Sequence, residues 1–206
     1  MPPIESRAGL DSRAGTALFL KRWLRNPFSM GAVVPSGRLL AAAMARATLA
    51  EMKGRDGHVI ELGAGTGEVT KALLAAGIPA DRLALVEREP ELASFLRRHF
   101  AGPRIVEGDA ARLPKILAEQ GIDSVSAVVS SLPLLSLPAE VVRGIVHGVF
   151  EALPRGGALV QFTYGPAQPV PRALTQELRL VGTHGPRIWL NVPPAVVWTF
   201  RRPVGA

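Results

Sequence analysis

The stretch HVIELGAGTGEVT, His58 to Thr70, constrains the fold more than any other part of the chain. A short apolar run flows into a loop with glycine at every second position, and the loop opens an apolar-periodic helix. Strand, glycine turn and helix in that order form the first unit of a parallel α/β sheet. The rhythm continues downstream. VTKALLAAG (Val69 to Gly77) predicts a helix closed by glycine, RLALVE (Arg82 to Glu87) a strand, and PELASFLRRHF (Pro90 to Phe100) a helix with proline in its first turn. RIVEGDA (Arg104 to Ala110) predicts a short strand and its exit, ARLPKILAEQG a short helix, and VSAVVSS (Val125 to Ser131) an apolar strand. AEVVRGIVHGVFEAL (Ala139 to Leu153) has helical period, GALVQFTYG (Gly157 to Gly165) is again a strand, and RIWLNVPPAVVWTFRR reads as two strands around a Pro-Pro turn. The expected fold is α/β: a mostly parallel, seven-stranded, Rossmann-like sheet flanked by helices, with an antiparallel strand late in the order.

Residues 1–55 stand outside this rhythm and predict an N-terminal helical extension, leaving 56–206 as the main domain. At 206 residues and 48% hydrophobic, the chain has material for one such core. It contains no cysteine, which excludes disulfides and thiolate metal sites, and no cluster of ligating side chains has metal-site spacing, so no metal is expected. No run reaches the ~18 apolar residues of a membrane-spanning helix. MPPIESRAGLDSRAG lacks the apolar stretch of a secretory signal, so the expected location is cytoplasmic. The net charge of +7 favours an anionic partner, nucleic acid or a lipid surface.

The glycine loop carries the chemistry. Gly63, Gly65 and Gly67 let the backbone turn sharply and let a ligand lie against it. The spacing is not the dinucleotide fingerprint, because the third glycine comes one residue early and Glu68 takes its place. Glu61 beside the loop is poor company for a pyrophosphate and suits a cation such as S-adenosylmethionine. Glu87 ends the second strand, where a carboxylate accepts both ribose hydroxyls, and Asp109 follows the third, within reach of an adenine amino group. Acids at the carboxyl ends of successive strands line the ligand edge of such sheets. From Gly57 to Arg202 the chain resembles the class I, Rossmann-like methyltransferases, and the resemblance implies cofactor contacts from Glu61, Gly63, Gly65, Gly67, Glu87, Arg88, Asp109, Ala110 and Ser130.

The loop after the fourth strand holds the methyl acceptor in such enzymes. Methyltransferases acting on adenine or glutamine carry Asn or Asp there, followed by an aromatic ring. Here SSLPLL places Ser130 and Ser131 there, then Leu132, Pro133, Leu134 and Leu135, with no ring for a flipped base to stack on. The pattern predicts an apolar acceptor. TALFLKRWLRNPF agrees: on a helical wheel Phe19, Trp23, Leu20 and Leu24 share one side and Lys21, Arg22 and Arg25 the other. No acid occurs between Asp11 and Glu51, and a basic amphipathic helix with Trp and Phe fits a bilayer interface. Ser36 is read as the N-cap of an Ala-rich helix over Gly37 to Met52.

With GAVVPSG, ELGAGTG and SSLPLL in place, nearly the whole chain resembles the bacterial phospholipid N-methyltransferases. That resemblance implies stepwise S-adenosylmethionine-dependent methylation of phosphatidylethanolamine to phosphatidylcholine by a monomer bound peripherally to the inner face of the cell membrane. No nucleic-acid partner is expected. Ser130 and Tyr164 are the catalytic candidates. Phe19, Lys21, Arg22, Trp23, Arg25, Ser131, Leu132, Leu134, Tyr164 and Arg187 are the candidates for substrate or membrane contact, with His184 beside them. His99 and His147 fall on helices and are read as structural. Two other readings stay open. The first strands also resemble ribosomal RNA adenine dimethyltransferases, and a non-catalytic S-adenosylmethionine-binding protein would carry the same glycine loop.

Overall fold

A computed structural model describes residues 35–164 and 167–204. The expected segment around Phe19, Lys21, Arg22, Trp23 and Arg25 lies outside them. The described elements run α1 (Pro35–Glu51), β1 (His58–Leu62), α2 (Glu68–Ala75), β2 (Leu83–Glu87), α3 (Pro90–His99), β3 (Arg104–Glu107), α4 (Leu113–Glu119), β4 (Val125–Ser130), α5 (Ala139–Ala152), β5 (Ala158–Tyr164), α6 (Arg172–Glu177), β6 (Val181–His184) and β7 (Ala195–Arg201). The strands form one seven-stranded sheet in the order β3-β2-β1-β4-β5-β7-β6. β1 to β5 are mutually parallel, and β7 inserts antiparallel between β5 and β6. The order reverses between β1 and β4, which puts the ligand crevice of such sheets at the carboxyl ends of those two strands.

β1, β2 and β4 are almost continuously apolar because both faces of the sheet are covered. On one face Ile60, Leu62, Val128 and Leu159 pack with Leu113 and Leu117 of α4 and Val142 and Val146 of α5. On the other, Val59, Leu85, Val129 and Val160 pack with Leu40 and Met44 of α1, Leu73 of α2 and Leu96 of α3. From Pro35 onward the N-terminal part therefore belongs to the core. Its end is tied down by the Glu51 carboxylate, which accepts from the Arg201 guanidinium of β7. Arg82 fixes the entry to β1 by donating to the carbonyls of Gly57 at 2.9 Å and Arg55 at 3.1 Å.

Two expectations need correction. Ser36 lies inside α1, which already includes Pro35, so it is not the cap. The strand expected over Arg187 to Val192 does not form; β6 is Val181–His184, and the Arg187 segment is a loop with one bridge, Ile188 to Ala195. Every residue of β6 is exposed and the strand pairs on one side only, so it lacks the apolar alternation that marks a strand. Ahead of β6 stands α6, Arg172–Glu177, a short helix with no side-chain cap hydrogen bond at its N-terminus.

Candidate active site

Each glycine of the loop is left-handed, with φ of 69° at Gly63, 57° at Gly65 and 79° at Gly67, but their surroundings differ. A Cβ on Gly63 would sit 2.6 Å from Leu132, and one on Gly67 would sit 2.4 Å from the Phe100 ring. Those two glycines make room for the protein's own side chains. A Cβ on Gly65 would meet no heavy atom nearer than 4.0 Å. Gly65 is thus the position where backbone faces open space and a ligand can approach.

Two buried carboxylates flank it. Glu87, at the end of β2, accepts from the Gly65 amide at 2.9 Å through Oε2 and from the Glu89 amide at 3.0 Å through Oε1. Each oxygen retains a second acceptor position. Glu61 is fully buried; its Oε2 accepts from the Thr70 hydroxyl at 2.7 Å, and its Oε1 has no hydrogen-bond partner among the described residues. Burial, with a smaller push from the Glu87 charge, raises the Glu61 pKa to about 8, against the hydrogen bonds from Thr70. A buried carboxyl oxygen with no partner beside an open glycine suits a cationic group, whose charge would favour the ionised form.

The other cofactor candidates are placed differently. Asp109 is exposed and caps a short 3-10 turn, accepting from the Ala111 amide at 3.0 Å; Ala110 beside it is buried. Arg88 is exposed and paired with Glu89 at 3.3 Å.

At the exit of β4, the buried Ser130 Oγ accepts from the Leu132 amide at 3.3 Å. The Ser131 amide donates to the Leu62 carbonyl at 2.9 Å, which sets this loop beside the glycine loop, and the buried Ser131 Oγ has no partner among the described residues. Gln161 of β5 reaches under the loop: its Nε2 donates to the Leu132 and Phe162 carbonyls, each at 3.0 Å. The sequence reading missed Gln161, although a glutamine inside the apolar strand GALVQFTYG was its signal. Thr70 was missed too, being a small polar residue on an ordinary helix.

Leu134 was expected to line an acceptor route. It is buried in the core beneath the loop, and the side chain that reaches solvent is Leu135, 54% exposed. Pro133, between Leu132 and Leu134, opens a 3-10 turn, Leu134–Ser136, in which Leu134 faces inward. Leu132 is half-buried and leans on Gly63.

The catalytic candidates Ser130 and Tyr164 share the carboxyl edge but not a face. Ser130 pairs with Gln161, and Tyr164 lies three residues further along β5, so the alternation of the strand turns it the other way. Tyr164 packs edge-on against Phe162, with ring centroids 5.1 Å apart, and burial raises its hydroxyl pKa. Arg187 lies over the Trp189 ring at 5.0 Å, and His184 is exposed against Trp198. His99 stacks on Phe95 at 3.9 Å, and His147 contacts Glu177, which also holds Arg143 in a two-pronged pair. No metal-binding group of side chains exists among the described residues.

No protein-family model matches the chain. The ornithine lipid N-methyltransferase of Singulisphaera acidiphila is 34% identical over 184 residues, covering 86% of this chain and 91% of that protein. A probable ribosomal RNA small subunit methyltransferase A of Halobacterium salinarum is 38% identical over 105 residues, half of this chain but 33% of that one. Among solved structures, magnesium protoporphyrin IX methyltransferase from Synechocystis with bound S-adenosylmethionine superposes with a TM-score of 0.61 at 14% identity, over 96% of this chain and 100% of that one. The glycopeptide N-methyltransferase MtfA complexed with S-adenosylmethionine gives 0.57 at 16% identity, over 79% and 94%. These structural likenesses speak for the fold, a class I Rossmann-like methyltransferase sheet. The alignment across nearly the full length of the first relative speaks for more: the chain belongs to the family of the ornithine lipid N-methyltransferase.

Proposed function

We propose that the protein transfers methyl groups from S-adenosylmethionine to the primary amine of a membrane aminolipid. The observation that carries the cofactor is the pair of buried carboxylates around Gly65, with Glu87 pinned to the loop and one oxygen of Glu61 unsatisfied. The lipid class is supported by the relative's name and by a β4 exit that offers hydroxyls and leucines but no stacking ring.

When bound, S-adenosylmethionine supplies a methyl group on a cationic sulfur, open to in-line attack. Glu87 would accept from the ribose hydroxyls, and Glu61, ionised, would hold the cofactor's amino group. Asp109 serves the adenine side. Ser131 Oγ and the neighbouring loop carbonyls orient the acceptor amine, while Ser130 and Gln161 hold that loop in shape. Burial lowers the pKa of an incoming ammonium, so its proton would pass to solvent and leave the lone pair free to attack. Positioning supplies most of the acceleration. Tyr164, a phenol that keeps its proton at neutral pH, would donate to an anionic headgroup oxygen.

Phosphatidylethanolamine, methylated stepwise to phosphatidylcholine, is one acceptor that fits; ornithine lipid, with a carboxylate in place of the phosphate, is the other, favoured by the relative. The basic amphipathic pattern around Phe19, Lys21, Arg22, Trp23 and Arg25 supports work at the inner membrane surface. The test incubates the purified chain with labelled S-adenosylmethionine and, separately, each lipid in mixed micelles and undermethylated ribosomal RNA. Mono-, di- and trimethylated lipid is the expected product. Label in RNA and none in either lipid would move the assignment to the adenine-methylating relatives.

A further inference from the structure

The loop joining β6 to β7 turns at the carboxyl end of β5, because Ala195 pairs with Tyr164. It therefore projects from the edge that carries the glycine loop and the β4 exit. Its tip presents Trp189, Leu190 and Val192 to solvent at 69%, 78% and 77% exposure. Such side chains are solvent-facing here because the backbone is clipped beneath them. Asn191 between them is buried and donates through Nδ2 to the Pro193 carbonyl at 2.6 Å; the Asn191 amide donates to Ile188, and Ile188 exchanges two backbone hydrogen bonds with Ala195. A turn braced in this way holds a contiguous apolar tip outward, and such tips mark interaction sites.

The charge around the tip selects the partner. Arg187 lies over the Trp189 ring at 5.0 Å, and the loop from 185 to 194 contains no Asp or Glu to offset it. Tryptophan with arginine at its face and aliphatic neighbours suits the headgroup level of a bilayer with anionic lipid. Leu135, exposed on the β4 exit, stands on the same edge.

We propose that the β6–β7 tip is a membrane-insertion device that seats Trp189, Leu190 and Val192 in an anionic lipid surface and so turns the carboxyl edge of the sheet, with its methyl-transfer site, toward the bilayer. The proposal rests on the lipid-methylating reading for its purpose, but its contact can be measured without it. It acts in series with the amphipathic N-terminal pattern, so removing it multiplies the dissociation constant by its own factor even where the other contact persists.

The experiment uses the full chain and vesicles of phosphatidylethanolamine with phosphatidylglycerol. The double substitution Trp189→Ser, Leu190→Ser is expected to weaken vesicle co-sedimentation by at least about tenfold, as loss of two exposed apolar anchors implies, and to leave the thermal midpoint in place. Methyl transfer to a short-chain, monomeric phosphatidylethanolamine is expected to persist while transfer to vesicle lipid falls. Bromine-labelled acyl chains should quench a share of the wild-type fluorescence that is lost in Trp189→Phe. Unchanged co-sedimentation of the folded double variant, or quenching that Trp189→Phe does not alter, overturns the proposal. Loss of self-association in place of loss of vesicle binding also overturns it and assigns the tip to a second copy of the chain. Tip-dependent vesicle binding without methylation of any lipid upholds this inference and sinks the proposed function instead.

Discussion

The Glu87 carboxylate and the Gly65 amide are joined by a 2.9 Å hydrogen bond that ties the end of β2 to the middle of the glycine loop. The same carboxylate shapes the loop and, in the proposed function, accepts from the cofactor ribose. Glu87→Ala removes both contributions. Loss of the charge-assisted contacts to two hydroxyls should weaken S-adenosylmethionine or S-adenosylhomocysteine binding by roughly 1.5–3 kcal/mol. Titration calorimetry at fixed salt checks this, and unchanged affinity would remove Glu87 from the cofactor site.

Glu61 makes the cofactor-free protein sensitive to pH. Its pKa rises from 4.5 in the unfolded chain to about 8 in the fold because burial disfavours the charged form. The folded state then binds one more proton than the unfolded state between those values, so this group's contribution is full below about 4.5, declines as pH rises toward 8 and levels off above. Glu61→Gln has no such titration. Thermal midpoints of the wild type should fall relative to this variant from pH 5 to pH 8. A bound cation reverses the preference and draws the proton off Glu61. Calorimetry at pH 6.5 in buffers of different ionisation enthalpy should therefore show release of about one proton on S-adenosylmethionine binding in the wild type, and none in Glu61→Gln.

The three loop glycines should separate by phenotype. Gly67→Ala drives a methyl into the Phe100 ring at 2.4 Å and adds left-handed strain, so it should lower the thermal midpoint strongly. Gly65→Ala meets open space and carries only the strain of its φ, about 1–2 kcal/mol. It should melt near the wild type yet lose most cofactor affinity, because the methyl occupies the ligand's side of the loop. A variant of Gly65 that binds S-adenosylmethionine normally would show that the open space is not the cofactor's.

Much of this was legible in the chain itself. The β1–loop–α2 unit announces itself through apolar period and glycine spacing, and the strand acids stand where the sheet puts its ligand edge, since both depend on local pattern. The late segment did not. β6 reads V-G-T-H, each residue exposed and the strand paired with β7 alone, so nothing in its residues signals a strand. Leu134 and Leu135 are chemically identical neighbours, and only the turn opened by Pro133 decides which enters the core. Gln161 is recognisable as unusual, but its task, holding the Leu132 carbonyl of a loop 29 residues away, is a tertiary fact.

That difference between Leu134 and Leu135 gives the last prediction. Leu134 is 4% exposed within the cluster that includes Leu62, Val128 and Val142, so Leu134→Ala should cost about 2–5 kcal/mol through lost burial and a residual cavity. Leu134→Asp should unfold the loop, and cofactor binding should fail with it. Leu135→Asp changes a side chain 54% exposed and should leave the thermal midpoint within about 0.5 kcal/mol of wild-type stability. If Leu135 meets acyl chains at the site's rim, that substitution should depress transfer to micellar lipid several-fold while S-adenosylmethionine affinity stays put. Thermal melting, cofactor titration and lipid assay on the pair decide it. Equal lipid turnover in Leu135→Asp and wild type would detach the β4 exit from acceptor recognition, and the serines beside it would then serve only to hold the loop against the glycine turn.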